Sequence, residues 1–120
     1  MQILNYFQLS QCAWQLRRDV LEMVYRAGSG HVGGSFSIAD LMAVLYFDVL
    51  HLDPRQPDMP ERDRFVLSKG HAAPVLYAAL ARRGFFPIET LWTLRQTHSI
   101  LQGHPHRQST PGLDASSGSL

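Results

Sequence analysis

The sequence has little cysteine, no excess of charge of either sign and no long apolar run, and each shortage excludes a class of protein. The single cysteine, Cys12, excludes an intramolecular disulfide framework and a multi-cysteine metal site. Eleven basic and ten acidic side chains leave a net charge of +1 without a basic stripe, so we expect no nucleic-acid partner. No stretch approaches the roughly 18 apolar residues that a membrane span needs. We therefore expect a cytoplasmic protein with no membrane partner.

The apolar residues that are present predict a chain rich in helices. Between residues 9 and 27 they recur at steps of three and four, which is typical of one helix, and Gly28 follows as its expected C-cap. A second helix is predicted after a capping-box-like start at residues 37–40. A third is predicted at about 71–83 and a short fourth at 87–96, with irregular chain beyond it.

Residues 64–67, Arg-Phe-Val-Leu, are the best strand candidate in the sequence. A strand needs a neighbour, because its backbone donors and acceptors would otherwise lack partners. The chain also ends in a Gly/Ser stretch at residues 116–119 without a closing helix or strand. We therefore expect a fragment whose remaining strands lie downstream or in another chain.

Three histidines stand beside glycine, in Gly30-His31, Gly70-His71 and Gly103-His104-Pro105. An imidazole without bulky neighbours can transfer protons near neutral pH, and a glycine turn at a helix start suits a phosphate group. Taken singly, His31 fits an ordinary loop histidine better than a functional one, and residues 68–71 fit an ordinary strand–helix turn better, with Lys69 solvated and His71 acting as a cap. No Cys, Asp or Glu joins the histidines at a recognisable ligand spacing, so a zinc site is not expected.

Together and in this order, the segments resemble transketolase, specifically its N-terminal, cofactor-binding half. Residues 28–41 are similar to the family's first motif and residues 64–71 to its second. Residues 101–105, followed by 110–114 and 117–120, are similar to its third. The Ser-Lys-Gly-His form is most similar to the split transketolases, whose N- and C-terminal halves are separate chains. The fold that this resemblance implies is α/β, the start of a thiamine-diphosphate-binding parallel-sheet domain with flanking helices.

The resemblance implies a role for each candidate site residue. His71 would contact the cofactor's diphosphate and lie near the reacting carbon. His31 would polarise the aldehyde oxygen and assist proton transfer, and His104 would hydrogen-bond the donor ketose near its terminal hydroxyl. Gly118 would let the backbone approach the cofactor, and Leu120 would pack on the thiazolium ring.

The reaction implied is transfer of a two-carbon ketol unit from a ketose phosphate to an aldose phosphate, with thiamine diphosphate and Mg²⁺ (or Ca²⁺), as in the pentose phosphate pathway. The family's Gly-Asp-Gly motif and asparagine, which hold the metal, are not in residues 1–120, and neither is its pyrimidine-binding domain. We therefore expect an incomplete domain without metal ligands, inactive alone. Its expected partners are sugar phosphates and either a C-terminal transketolase subunit or a second copy, in a homodimer or heterotetramer.

Two positions depart from the family pattern. His106 stands where an acidic residue is usual, which would alter the local charge and the sugar preference, and Ser117 stands where threonine is usual. Two other functions stay open. One is a non-catalytic interaction fragment that pairs with a full-length relative, and the other is a different thiamine-diphosphate enzyme such as a deoxyxylulose-phosphate synthase.

Overall fold

The computed structural model describes residues 4–118, which fold as helices and short helical turns around one core. The four α-helices of this part of the chain are α1 (Tyr6–Ala27), α2 (Val32–Ser37), α3 (Ala39–Val44) and α4 (Ala73–Arg83). A π-helical turn at Leu45–Val49 continues α3. A 3₁₀ turn at Gly70–Ala72 precedes α4, and another at Ile88–Thr93 follows it. None of the described helices is long and apolar enough to cross a membrane.

Helix α1 confirms the periodic pattern and the predicted C-cap. A capping box begins it: Asn5 Oδ1 accepts from the Gln8 backbone N–H at 2.8 Å, and Gln8 Oε1 accepts from the Asn5 N–H at 3.0 Å. The helix ends at Gly28, whose φ of 74° is left-handed and suits glycine. Its buried side chains lie on one face, which packs against α3 and α4.

The capping box predicted at residues 37–40 is wrong. The Ser37 hydroxyl donates to the Gly34 carbonyl at 3.0 Å, so it turns back into α2 and does not cap α3. Asp40 instead accepts two hydrogen bonds from the Arg17 guanidinium, at 3.2 and 2.8 Å. This exposed pair joins α3 to α1.

Helix α4 is the central element of the described chain. Every residue from Ala73 to Ala81 is buried, because α1, α2, α3 and the turn at Ile88–Thr93 all contact it. Pro74 lies in its first turn, where a missing backbone N–H costs nothing, as expected from the sequence. Gly84 ends it with a left-handed φ of 99°. The 3₁₀ turn at Gly70–Ala72 therefore holds His71 against a rigid support.

A buried ion pair joins α1 to α4. Asp19 is only 2% exposed, and its carboxylate accepts two hydrogen bonds of 2.8 Å from Arg82. A third comes from the side-chain amide of Gln15, at 3.0 Å. Since planar bidentate geometry gives strong charge-assisted bonds, this pair fixes the register of the two helices.

The strand predicted at residues 64–67 does not form. No strand is present between residues 4 and 118, so this segment has no sheet partner there. The carboxylate of Asp114 replaces part of the missing pairing, because its Oδ2 accepts from the Phe65 backbone N–H at 2.7 Å. Its Oδ1 accepts from Arg62 Nε at 3.0 Å. The helix-rich character is thus confirmed, and the described residues build no parallel sheet.

Candidate active site

His31 is presented by a glycine-rich turn. It follows Gly30, whose φ is 144°, and it occupies the N-cap position of α2. A Cβ at Gly30 would lie 2.9 Å from a methyl carbon of Val24, so a larger residue would push the turn away from α1. The His31 side chain is exposed at the surface of the described chain.

The structure brings His31, His71 and His104 together. The ring centroids of His31 and His71 are 4.5 Å apart, and those of His71 and His104 are 4.6 Å apart. His71 is therefore the central ring, with one neighbour on each side. Three segments that are distant in the sequence thus form one cluster of imidazoles, called the histidine cluster below.

Two polar side chains hold α2 against the segment that carries His71. The buried hydroxyl of Ser35 donates to the Ala72 carbonyl at 3.3 Å and accepts from the Val75 N–H at 3.3 Å. The Lys69 ammonium donates to the Gly34 carbonyl at 3.0 Å and to the Ser37 hydroxyl at 3.1 Å. Lys69 is therefore not simply solvated, and it joins α2 to the turn that precedes His71.

His104 is held by Tyr77 of α4. The buried hydroxyl of Tyr77 lies 2.7 Å from the Gln102 carbonyl oxygen and 3.2 Å from that of His104. Burial raises the pKa of Tyr77 well above its usual value, so this phenol stays a donor throughout the ordinary pH range. The third histidine thus sits on an irregular segment that is anchored to the most rigid helix.

We expect Tyr77→Phe to displace His104 without unfolding the chain. Loss of the hydroxyl leaves the Gln102 carbonyl without its donor, which should cost about 1 kcal/mol of unfolding free energy. In a ¹H–¹³C spectrum of the imidazoles, the His104 signals should shift or broaden. The signals of His51, which lies outside the cluster, serve as the control. Unchanged His104 signals would show that Tyr77 does not position this ring.

The histidine cluster disfavours protonation of its central ring. Partial burial lowers the pKa of His71, and the positive charges that His31 and His104 acquire on protonation lower it further. His71 is therefore neutral at neutral pH and can accept a proton there. Between its lowered folded pKa and the ordinary value near 6.5, the unfolded chain binds more protons, so stability should fall as the pH falls through this window.

We expect His31→Asn to raise the pKa of His71 toward the ordinary value, because one of the neighbouring positive charges is removed. The measurement is an NMR pH titration of the His71 ring in the wild type and the variant. His51→Asn is the matched control and should leave the His71 titration in place. Equal titration curves in all three proteins would contradict electrostatic coupling within the cluster.

Gly118 lies beside the turn that carries His71. The Gly70 backbone N–H donates to the Gly118 carbonyl at 3.2 Å, and a Cβ at Gly70 would meet three Gly118 backbone atoms at 2.8–2.9 Å. The neighbouring Ser117 hydroxyl is buried and has no hydrogen-bond partner among residues 4–118. The predicted cofactor contact Leu120 lies outside the described residues.

The described chain alone does not enclose a ligand at the cluster. The space between His31, His71, Arg95 and Gly103 is only about 10 Å³. Within residues 4–118, no group of three or more His, Cys, Asp and Glu side chains could hold a metal ion.

Residues 9–120 match the family described as "Transketolase, thiamine diphosphate binding domain". The chain belongs to the transketolase family. It is 50% identical over 105 residues to the 6-deoxy-6-sulfo-D-fructose transketolase subunit SqwG of Clostridium sp. (strain MSTE9), covering 88% of this chain and 38% of that protein. It is 41% identical over 104 residues to one subunit of the apulose-4-phosphate transketolase of Phocaeicola vulgatus, covering 87% and 37% respectively.

A solved transketolase from Leishmania mexicana has the same fold over this region. It superposes with a TM-score of 0.90 and 32% sequence identity, covering 99% of this chain and 18% of that chain. The chain thus spans less than two fifths of the length of the transketolase subunits it matches.

Sequence reasoning missed the residues that support the cluster. Tyr77 had a usable signal, because a tyrosine within a buried apolar helix needs a partner for its hydroxyl. Ser35 and Lys69 had weaker signals, since serine and lysine in a glycine-rich turn are ordinary surface residues. Arg95, which borders the histidine cluster, had no recognisable signal in the sequence.

Proposed function

We propose that this chain is the N-terminal part of a transketolase diphosphate-binding domain, in an enzyme that moves a two-carbon ketol unit from a ketose phosphate to an aldose phosphate. The observation that carries the proposal is the contact of three imidazoles, His31, His71 and His104, in one cluster. Each oxygen in such a transfer gains or loses a proton near neutral pH, which is the range in which imidazoles act.

The residues beside His71 fit a thiamine diphosphate cofactor. Only glycine at position 70 allows the backbone of Gly118 to approach, and a Cβ at Gly118 itself would meet nothing within 4 Å, so space is open there. When bound, thiamine diphosphate supplies the carbon nucleophile. Gly118 would give backbone contact, and Leu120 would pack on the thiazolium ring.

Each of the three imidazoles would have a different role, which its position in the cluster determines. His71, neutral and central, would contact the diphosphate and accept or return a proton near the reacting carbon. His31 is exposed on the outer side, where it can polarise an aldehyde oxygen. His104 would donate a hydrogen bond to the terminal hydroxyl of the donor ketose, held in place by Tyr77.

The rest of the site would come from outside residues 4–118. The diphosphate needs a divalent cation such as Mg²⁺ as its counter-ion, and we assign its ligands to further chain or to a partner. In the complete domain, residues 64–67 would join a parallel sheet. We propose a C-terminal transketolase subunit or a second copy as the partner, in the cytoplasm. The names of the two subunit relatives favour a sugar that carries a phosphate or sulfonate group.

The test is ketol transfer by an assembled enzyme. A longer N-terminal chain that carries residues 1–120 together with the family's metal-binding Gly-Asp-Gly motif is combined with a C-terminal transketolase subunit, thiamine diphosphate, Mg²⁺, a ketose phosphate and an aldose phosphate. We expect transfer by the assembly and none by the chain alone. His71→Asn should slow transfer about 100-fold or more, as loss of an acid–base group does. His98→Asn, a matched change at an exposed histidine outside the cluster, should leave the rate unchanged.

Two results would overturn the proposal. One is an assembly that forms but transfers nothing, which would favour a non-catalytic interaction fragment. The other is a His71→Asn enzyme that is as fast as the wild type. Transfer by the purified chain alone would overturn the need for a partner.

A further inference from the structure

A larger cavity is lined by His104 and shares Arg95 and Gly103 with the small space at the histidine cluster. Its volume is about 530 Å³. Its polar lining consists mainly of one guanidinium, two imidazoles and three hydroxyls, from Arg95, His104, His106, Ser109, Ser116 and Ser117. Within the described part of the chain, no Asp or Glu lines it. We call it the Arg95 cavity; of the histidine cluster, His104 lines it and His31 and His71 do not.

Arg95 is held in an unusual conformation at the edge of this cavity. Its φ of 64° is left-handed, which is uncommon for a residue other than glycine and marks constrained backbone. Its backbone N–H donates to the Leu101 carbonyl at 2.8 Å, which fixes the turn. Its guanidinium lies across Gly103, where a Cβ would come within 2.7 Å of Nη1. Glycine at position 103 therefore makes room for the charged group.

No carboxylate of residues 4–118 neutralises this guanidinium. The five ion pairs found in that range use other arginines, namely Arg17, Arg26, Arg55, Arg62 and Arg82. The positive charge at the edge of the cavity is consequently available to a ligand.

Two of the three serines of the cavity, Ser116 and Ser117, have a hydroxyl proton without an acceptor in the described range. Ser116 Oγ accepts from the Arg107 backbone N–H at 2.8 Å, so its own proton can be donated elsewhere. Ser117 Oγ is buried without any partner in the described range. Ser109 Oγ lies 3.0 Å from His106 Nδ1, which orients that ring. A buried donor without an acceptor is costly, so a ligand rich in acceptors would stabilise this wall.

We propose that the Arg95 cavity binds a tetrahedral oxyanion, the phosphoryl or sulfonyl group of a small molecule. Such a group offers only acceptors and negative charge, and the cavity offers donors and positive charge without a competing carboxylate from the described residues. His106 suits an anion because its imidazole carries no negative charge, whereas an acidic side chain at this position would repel the anion. The identification of the oxyanion as part of a sugar rests on the proposed function. The binding of an oxyanion in this cavity does not.

Binding is tested by NMR on the 120-residue chain at a pH of about 6 and constant ionic strength. Inorganic phosphate and methanesulfonate are titrated separately, with sodium chloride as the balancing salt. We expect saturable shifts of the His104 and His106 ring signals. Arg95→Gln should weaken binding at least about fivefold, as loss of a charge-assisted contact does. Arg18→Gln, at an exposed arginine of α1, is the matched control and should bind as the wild type does.

A second variant keeps the test decisive if Arg95→Gln unfolds. His106→Glu lies on the exposed rim and should weaken both anions through repulsion, with an unchanged melting temperature. Saturable binding of both probes supports a general oxyanion site, and binding of one alone assigns phosphoryl or sulfonyl as its ligand. Shifts that stay linear with both probes overturn the proposal. An equal loss of probe affinity in Arg95→Gln and Arg18→Gln also overturns the proposal. Oxyanion binding without ketol transfer would overturn the proposed function and leave this site intact.

Discussion

Asp19→Asn should lower the unfolding free energy by about 2–4 kcal/mol, the largest loss we expect from a single isosteric change in this chain. The carboxylate of Asp19 is 2% exposed and accepts three hydrogen bonds, two from Arg82 and one from Gln15. Asparagine keeps the volume but removes the negative charge and one acceptor. The Arg82 guanidinium would then face a neutral amide in a largely buried position.

The matched control is Glu22→Gln on the same helix. Glu22 pairs with Arg26 at 3.1 Å, but both side chains are about half exposed. Water screens such a pair, so this change should cost less than about 0.5 kcal/mol. Urea unfolding of the three proteins gives the comparison. Similar losses for both variants would show that the pair between α1 and α4 does not hold the fold together.

Gly70→Ala should destabilise the chain by about 1–3 kcal/mol and separate the two ends of the candidate cofactor site. The new methyl would lie 2.8–2.9 Å from backbone atoms of Gly118, and backbone cannot yield as a flexible side chain can. The hydrogen bond from the Gly70 N–H to the Gly118 carbonyl should be lost. Amide signals of residues 117 and 118 should therefore move, together with the ring signals of His71.

Gly118→Ala is the control, because it places the same methyl on the other partner of the contact. A Cβ there meets nothing within 4 Å, so we expect little change in stability and no shift of His71. The asymmetry between the two variants is the result to measure, by urea unfolding and by ¹H–¹⁵N spectra. If both variants behave alike, the close approach of Gly70 to Gly118 is absent in solution.

Local signals in the sequence were sufficient for α1 and α4, but they missed α2, and the short helix predicted at residues 87–96 is only a 3₁₀ turn at Ile88–Thr93. The apolar period of α1, its C-cap at Gly28, the early proline of α4 and the C-cap at Gly84 depend on residues a few positions apart, and all four predictions are confirmed. The capping box at residues 37–40 was wrong, because Asp40 has a better partner on a distant helix. Arg17 reaches it from α1, and no local pattern contains that contact.

Long-range contacts explain what the sequence could not predict. The strand predicted at residues 64–67 has a suitable local pattern, but a strand exists only with a partner. The Asp114 carboxylate instead accepts a hydrogen bond from the backbone N–H of Phe65, although the two residues are 49 positions apart. The supports of the site, such as Ser35 against Val75 and Tyr77 against His104, likewise join segments that are distant along the chain. The order of the glycine-flanked histidines was visible in the sequence, and their contact was not.

Contacts between ring protons show most directly whether three distant segments meet at one site. We predict nuclear Overhauser effects from the His71 ring to the rings of both His31 and His104, since the centroids are 4.5 and 4.6 Å away. His98 and His106, assigned in the same spectrum, give the background for rings outside the cluster. Cross-peaks from His71 to neither neighbour, in a chain that is folded by its amide spectrum, would contradict the histidine cluster and the function proposed for it.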